Sequence, residues 1–125
     1  MDEYIVKGKN KQINCKQEDY YKFIGYLANP ESDVEIVLEN NDVQGAWGKE
    51  ARIRFKNDKA KIIFESLGIK FTAGGNGCVC RLNCNEFYEE LLKLGFTAGK
   101  KQNIEIIKNN IPKKFLKSFE EGLNL

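Results

Sequence analysis

Histidine is absent from this 125-residue chain. Its absence excludes Ser-His-Asp and Cys-His catalysis and every histidine-containing metal site, which leaves carboxylates, lysines, arginines and thiols for any chemistry. Long apolar runs are also missing, and no segment approaches the roughly 20 apolar residues that cross a bilayer. Residues 1–4 lack the basic and apolar regions of a secretory signal, so the sequence predicts a cytoplasmic protein with no membrane partner.

Positive and negative side chains are nearly balanced. Twenty lysines and arginines stand against 18 acids, and the formal net charge is +2. This charge alone does not indicate a polyanion partner, although uneven placement of the charges remains open. The length fits one domain. We expect residues 1–16 to form an N-terminal hairpin extension, residues 17–95 the core and residues 96–125 a C-terminal extension.

The cysteines raise the question of a zinc site, because three of the four lie between residues 78 and 84. Structural zinc sites use paired C-x2-C knuckles, whereas Cys78 and Cys80 form C-x-C on a predicted strand, where both thiols face one side. The favoured interpretation is free thiols that pack in the core, since a disulfide is not expected in a reducing compartment. We predict no metal site and no cofactor. The four cysteines are Cys15, Cys78, Cys80 and Cys84.

Hydrophobic periodicity gives the order of the elements. Tyr20, Phe23, Ile24 and Leu27 follow helical spacing, and Pro30 stops that helix. Alternation predicts strands at residues 34–39 and 52–56, and we also expect strands at residues 70–72 and 78–82, around a glycine-rich turn, and at residues 104–107. Helical spacing predicts further helices at residues 57–68 and 83–95 and after residue 112. Together these elements predict an α+β domain of the αββαββα type, with a mostly antiparallel four-stranded sheet backed by helices, an N-terminal hairpin and a C-terminal helix.

The order of elements between Gln17 and Leu94 resembles the repeating unit of LAGLIDADG homing endonucleases. Residues 23–27 look like the signature helix of that family, and residues 111–123 are similar to the start of a second one. In the family, a small residue lets two signature helices approach closely. The resemblance therefore implies a homodimer joined through Gly25, while the alternative is that this glycine accommodates a neighbouring helix of the same chain.

The acid that ends the signature helix in that family is missing. This carboxylate, followed by glycine, binds the divalent metals that activate water. In register with Gly25, its position is held by Pro30, which cannot ligate a metal. Glu31 or Asp33 could replace it only with a shifted backbone, and otherwise they are surface acids. We therefore predict no catalytic residue; an active chain would be a metal-dependent DNA endonuclease.

DNA readers of the family place their sheets in the major groove, so the resemblance implies double-stranded DNA as the partner. The basic residues that we assign to this contact are Arg52, Arg54, Arg81, Lys100 and Lys101. The alternative for the strand arginines is cross-strand pairing with Glu35 and Glu39. The predicted function is a nucleic-acid-binding or regulatory module related to LAGLIDADG endonucleases.

A second function remains open. The chain could be a small protein-binding inhibitor or effector, encoded by a phage or mobile element, that blocks a host nuclease or defence enzyme. Its compact size and near-neutral charge fit this class, and so does Trp47 in a long loop, since tryptophan is enriched at interface hot spots. Trp47 could equally complete the core. Gly25 and Trp47 are thus the two residues that we assign to a protein interface.

Overall fold

The protein is described here by a computed structural model, which places residues 4–7, 13–29, 34–41, 48–55, 58–69, 72–73, 79–82, 85–99 and 102–125. The strands are β1 (Tyr4–Lys7), β2 (Ile13–Lys16), β3 (Val34–Asn41), β4 (Gly48–Phe55), β5 (Thr72–Ala73) and β6 (Val79–Leu82). The helices are α1 (Gln17–Ala28), α2 (Asp58–Ser66), α3 (Asn85–Leu94), α4 (Ile104–Asn109) and α5 (Leu116–Leu123), with a 3-10 turn (Lys113–Phe115) before α5.

Helix α1 lies at the centre of the molecule. Every residue from Phe23 to Ala28 is buried, as is Tyr20. A helix that is buried around its whole circumference must have neighbours on several sides, which distinguishes it from a surface helix with one apolar stripe. The predicted stripe is therefore correct, and the burial extends beyond it to Gly25 and Tyr26.

Aromatic rings join α1 to α2 and α3. The ring of Phe23 meets Phe64 of α2 edge-on, with centroids 5.0 Å apart, and stacks on Phe87 of α3 at 5.9 Å. Tyr26 also meets Phe64 edge-on, at 5.2 Å. Edge-on and offset contacts of this kind each contribute about 0.5–1.5 kcal/mol beyond the burial of apolar area. These rings fix how α2 and α3 pack against the central helix.

Helix α5 packs on another side of α1, at a crossing between two glycines. A methyl group on Gly25 would lie 2.1 Å from the carbonyl oxygen of Phe119, and one on Gly122 would lie 2.0 Å from that of Lys22. The amide of Asn29 donates a 2.8 Å hydrogen bond to the carbonyl of Leu123 and holds the end of the crossing. Of the two alternatives for Gly25, the structure shows the close approach of a helix from the same chain.

Backbone pairing joins the strands. β1 pairs antiparallel with β2, from Tyr4 opposite Lys16 to Lys7 opposite Ile13. β3, β4, β6 and β5 lie side by side in that order, each antiparallel to its neighbour. Ile36 and Gly99 exchange two backbone hydrogen bonds of 2.9 and 2.7 Å, which tie the chain after α3 to β3.

The predicted fold class, an α+β domain dominated by a four-stranded antiparallel sheet, is corrected by the helical content. Side chains are described for residues 13–29, 34–36, 62–69, 87–99 and 102–125, and in that part helix occupies 65% and strand 14%, so a fold class built on a four-stranded antiparallel sheet is not supported. The physical reason is that helices supply most of the buried side chains in this part of the chain. Among the described side chains, helices supply the large buried aromatic ones except Phe96, which follows α3, and the described part of β3 contributes Val34 and Ile36. The described core is therefore helical.

The predicted strand at residues 104–107 is also wrong, because this segment forms α4. Asn103 caps it by accepting a hydrogen bond from the backbone N–H of Ile106 at 3.2 Å. Ile107 is buried, but Ile106 remains 50% exposed, so the apolar alternation does not mark a half-buried strand. The cap and one buried isoleucine decide the local structure here.

Two glycines end α2 and α3, as the sequence predicts. Gly68 and Gly95 have φ of +93° and +103°, in the left-handed region that other residues adopt at a cost.

Across the part of the chain that the structure describes, no helix is long and apolar enough to span a membrane.

Candidate functional site

The backbone register brings two of the predicted DNA-contacting arginines opposite each other. Arg52 of β4 is paired with Arg81 of β6. On the outer sides, Arg52 is opposite Val37 of β3, and Arg81 is opposite Thr72 of β5. We call these four positions the arginine row. Residues that are paired across an antiparallel ladder share a face, so the register places Arg52 and Arg81 at neighbouring positions.

Acids occupy other rows of the same strands. Glu35 is opposite Arg54, which matches the predicted alternative of cross-strand pairing for that arginine. Glu39 is opposite Glu50 rather than an arginine. Along the described positions of the arginine row itself, no acid stands opposite Arg52 or Arg81.

Like charges directly opposite each other destabilise a ladder. A bound anion offsets such repulsion, because it pairs with both positive charges. Arginine is suited to such an anion because its planar fork can bind a phosphate through two hydrogen bonds. A phosphate or a base edge is therefore the kind of group that a pair of arginine positions suits.

Several other predicted residues lie outside the described part of the chain. Lys100 and Lys101 are among them, as are Trp47 and the segment 30–33 that carries Glu31. Their assignments stay predictions. Gly25 is described, and its open side is filled by Phe119 and Gly122 of α5.

Lysines of the C-terminal segment supply a second basic surface. Lys113, Lys114 and Lys117 are exposed, and the ammonium of Lys114 lies 5.1 Å from the centroid of the Phe115 ring. Lys108 is within 3.8 Å of Glu120, so its charge is offset locally. These lysines fit two roles, a phosphate contact or a solvated helix face.

Metal and thiol chemistry has little support in the residues that the structure describes. No cluster of three or more cysteine, aspartate or glutamate side chains that could hold a metal ion occurs among them. Cys15 is a free, buried thiol, as predicted. Burial, followed by the nearby charge of Asp19, raises the pKa of the Cys15 thiol to about 12, which makes it a poor nucleophile.

The sequence gives no indication of a cavity between α1, α3 and the segment before the 3-10 turn. Its volume is about 470 Å³. We call it the α1–α3 cavity; it is lined by Tyr21, Glu89, Glu90, Lys93, Leu94, Asn110 and Pro112. No periodic pattern could have revealed it, because the lining comes from three segments that are distant along the chain.

Comparison of the chain with protein-family models, with curated proteins and with solved structures finds no match. The resemblance to LAGLIDADG endonucleases therefore stays a prediction that depends on the residues quoted for it.

Proposed function

We propose that the protein binds double-stranded DNA through the arginine row and does not cleave it. The observation that carries this proposal is the direct pairing of Arg52 with Arg81. A protein that only needed a stable ladder would gain by placing an acid opposite one of these arginines, as it does for Arg54 with Glu35. Retaining two adjacent positive charges is explained by an anionic partner.

Charge elsewhere is consistent with this partner. The exposed lysines Lys113, Lys114 and Lys117 can add phosphate contacts, which contribute to affinity without reading sequence. The modest net charge of +2 suits a contact that depends on a few placed residues rather than on a general positive field.

The absence of cleavage is proposed from the sequence register of α1. Counting from Gly25, the position of the metal-binding acid in the LAGLIDADG pattern is held by Pro30. Without that carboxylate, two-metal activation of water lacks its ligand. A binding or regulatory role remains for a domain of this kind. We place this role in the cytoplasm, because a free thiol such as Cys15 suits a reducing compartment.

The test is the affinity for a fluorescently labelled DNA duplex, measured by anisotropy at about 0.1 M salt. Arg52→Gln and Arg81→Gln should each weaken binding by about tenfold, the loss expected for a hydrogen bond to a charged group. The control is Lys22→Gln, which removes one positive charge from α1, where Lys22 lies 3.9 Å from Asp19. This control should bind like the wild type.

Stability separates lost binding from lost folding. Replacing both arginines by glutamine removes a like-charge pair, so the melting temperature of the double variant should be unchanged or higher. Wild-type affinity in a folded double variant, or no duplex binding by the wild-type protein, would contradict the proposal.

A further inference from the structure

Strand β3 lies at one end of the strand order and carries backbone groups along its outer side, which we call the β3 edge. Ile36 exchanges hydrogen bonds of 2.9 and 2.7 Å with Gly99 there. In an antiparallel ladder, successive residues of a strand alternate between bonding the neighbour on one side and on the other. Leu38 and Asn40 share the alternation of Ile36, so their N–H and C=O groups are directed to the β3 edge.

Pairing with the chain after α3 does not continue past Ile36. Antiparallel continuation would bring Thr97 opposite Leu38. Instead, the backbone N–H of Thr97 donates a 2.8 Å hydrogen bond to Oε1 of Gln102, and the carbonyl of Thr97 accepts one of 2.7 Å from the side-chain amide of Gln102. Among the residues that the structure describes, none bonds to the β3 edge at Leu38 or Asn40. The edge is therefore open to another strand in this part of the molecule.

The register places two acids opposite each other in the same segment. Glu39 of β3 is opposite Glu50 of β4, whereas Glu35 is opposite Arg54, and Arg52 lies one row away from Glu39 on the same face. Like charges at opposed positions destabilise a ladder, and opposite charges stabilise it. A strand added at the β3 edge would place one of its own residues beside Glu39 in that row. Lysine or arginine is the favoured residue there.

The same acid disfavours a second copy of this chain as the occupant. Two β3 strands that pair about a twofold axis, through the outward groups of Leu38 and Asn40, would bring Glu39 directly opposite its symmetry mate. The Glu39–Glu50 row would then contain acids from both copies and no base, which is unfavourable. Charges on an edge strand commonly prevent self-pairing in this way.

We propose that the β3 edge binds an extended segment of a partner protein that carries lysine or arginine opposite Glu39. Leu38 and Asn40 each supply an N–H donor and a C=O acceptor to the backbone of that segment, as in the addition of extended peptides to open strand edges. Glu39 and Glu50 select the basic residue. The β3 edge is separate from the arginine row, so this interface does not depend on the proposed binding of DNA.

The first test is amide hydrogen exchange in the free, 15N-labelled protein, measured by NMR. The internal control is Ile36, whose N–H is bonded to Gly99. The amides of Leu38 and Asn40 should exchange at least about tenfold faster than that of Ile36, because they have no partner at the edge. Protection equal to that of Ile36 would mean that the chain covers its own edge, and protection that grows with protein concentration would assign the edge to a second copy. Either result would overturn the proposal.

The second test is a titration of the labelled protein with the peptide acetyl-Thr-Val-Lys-Val-Thr-amide. Its sequence reads the same in both directions, so neither strand orientation is assumed. The peptide should give saturable shifts and slower exchange at the amides of Leu38 and Asn40, with a dissociation constant near the millimolar range. The control peptide is N-methylated at both valines, which keeps the side chains and removes two backbone donors. No saturable shifts with the first peptide, or equal binding of the methylated one, would contradict the proposal.

Charge selection is tested by reversing the charge on each side of the interface. Replacing the peptide lysine by glutamate should weaken binding by about three- to tenfold. Glu39→Lys should reverse that preference, and its opposed position to Glu50 becomes attractive, so the variant should remain folded. The matched control is Glu121→Gln, an exposed acid of α5, which should leave the ratio of the two affinities unchanged. A ratio that is the same in Glu39→Lys as in the wild type would also overturn the proposal.

Discussion

Replacing Gly25 with alanine adds one methyl group at the point where α1 and α5 cross. The added carbon would lie 2.1 Å from the carbonyl oxygen of Phe119 and 3.1 Å from the Cα of Gly122. Both neighbours are backbone atoms, so no side chain can rotate away. An ordinary carbon–oxygen contact is about 3.3 Å or longer, and the two helices must therefore separate by roughly 1 Å.

The free energy of unfolding responds to two opposing effects. Alanine in a helix interior is favoured over glycine by about 1 kcal/mol. Separation of the helices costs about 3 kcal/mol, because overpacking of a dense core costs up to that amount and Phe119, which is fully buried, loses part of its packing. The net expectation is a loss of about 2 kcal/mol. For a domain of this size, that loss lowers the melting temperature by about 8 °C.

Thermal unfolding, followed by circular dichroism, shows directly whether Gly25→Ala lowers or raises the stability. If α5 did not pack on α1, Gly25→Ala would raise the melting temperature by about 4 °C through helix propensity alone. Gly122→Ala should destabilise to a similar extent, since its methyl group meets Lys22 and Gly25. The double variant should lose less than the sum, because the first methyl group already separates the helices. Stabilisation by either single substitution would refute the described crossing.

Three further predictions concern the core and its caps. Tyr20→Phe should lower the free energy of unfolding by about 1–2 kcal/mol at pH 7, through loss of the hydrogen bond to Glu90. Burial and then Glu90 raise the pKa of Tyr20 in the folded state, so the contribution of Tyr20 to stability is complete below the unfolded pKa near 10 and is lost as the pH rises above it. The free energy of unfolding, measured by denaturation between pH 9 and 11, should therefore fall less steeply with pH in Tyr20→Phe than in the wild type. In a variant with serine at the other three cysteines, Cys15 should react with a thiol reagent at pH 8 only after denaturant is added, and rapid labelling in buffer would contradict its burial. Asn103→Ala should cost about 1 kcal/mol through loss of the α4 cap, whereas the exposed Asn109→Ala should cost less, and equal losses would remove the role of the cap.

The sequence predicted elements well where one apolar face decided their structure. Tyr20, Phe23, Ile24 and Leu27 recur at helical spacing, and all four are buried on α1. Gly68 and Gly95 were predictable as helix ends, because positive φ is accessible to glycine. These features depend on neighbours a few residues away, which the sequence itself displays.

Features that depend on distant segments were not predictable. Residues 104–107 were predicted to form a strand, but the packing of Ile107 in the core, together with the Asn103 cap, produces a helix. The hydrogen bond between Tyr20 and Glu90 joins residues 70 positions apart. The predicted fold class, dominated by a four-stranded sheet, was wrong for a similar reason. Alternation does not show which elements supply the large buried side chains.

The most direct test of the proposed function is the salt dependence of duplex binding. The logarithm of the association constant should fall linearly with the logarithm of salt concentration, with a slope close to the number of phosphates neutralised. If Arg52 and Arg81 each hold a phosphate, the slope for Arg52→Gln/Arg81→Gln should be smaller than that of the wild type by about 2. Identical slopes for the two proteins would contradict the proposal that the arginine row contacts DNA.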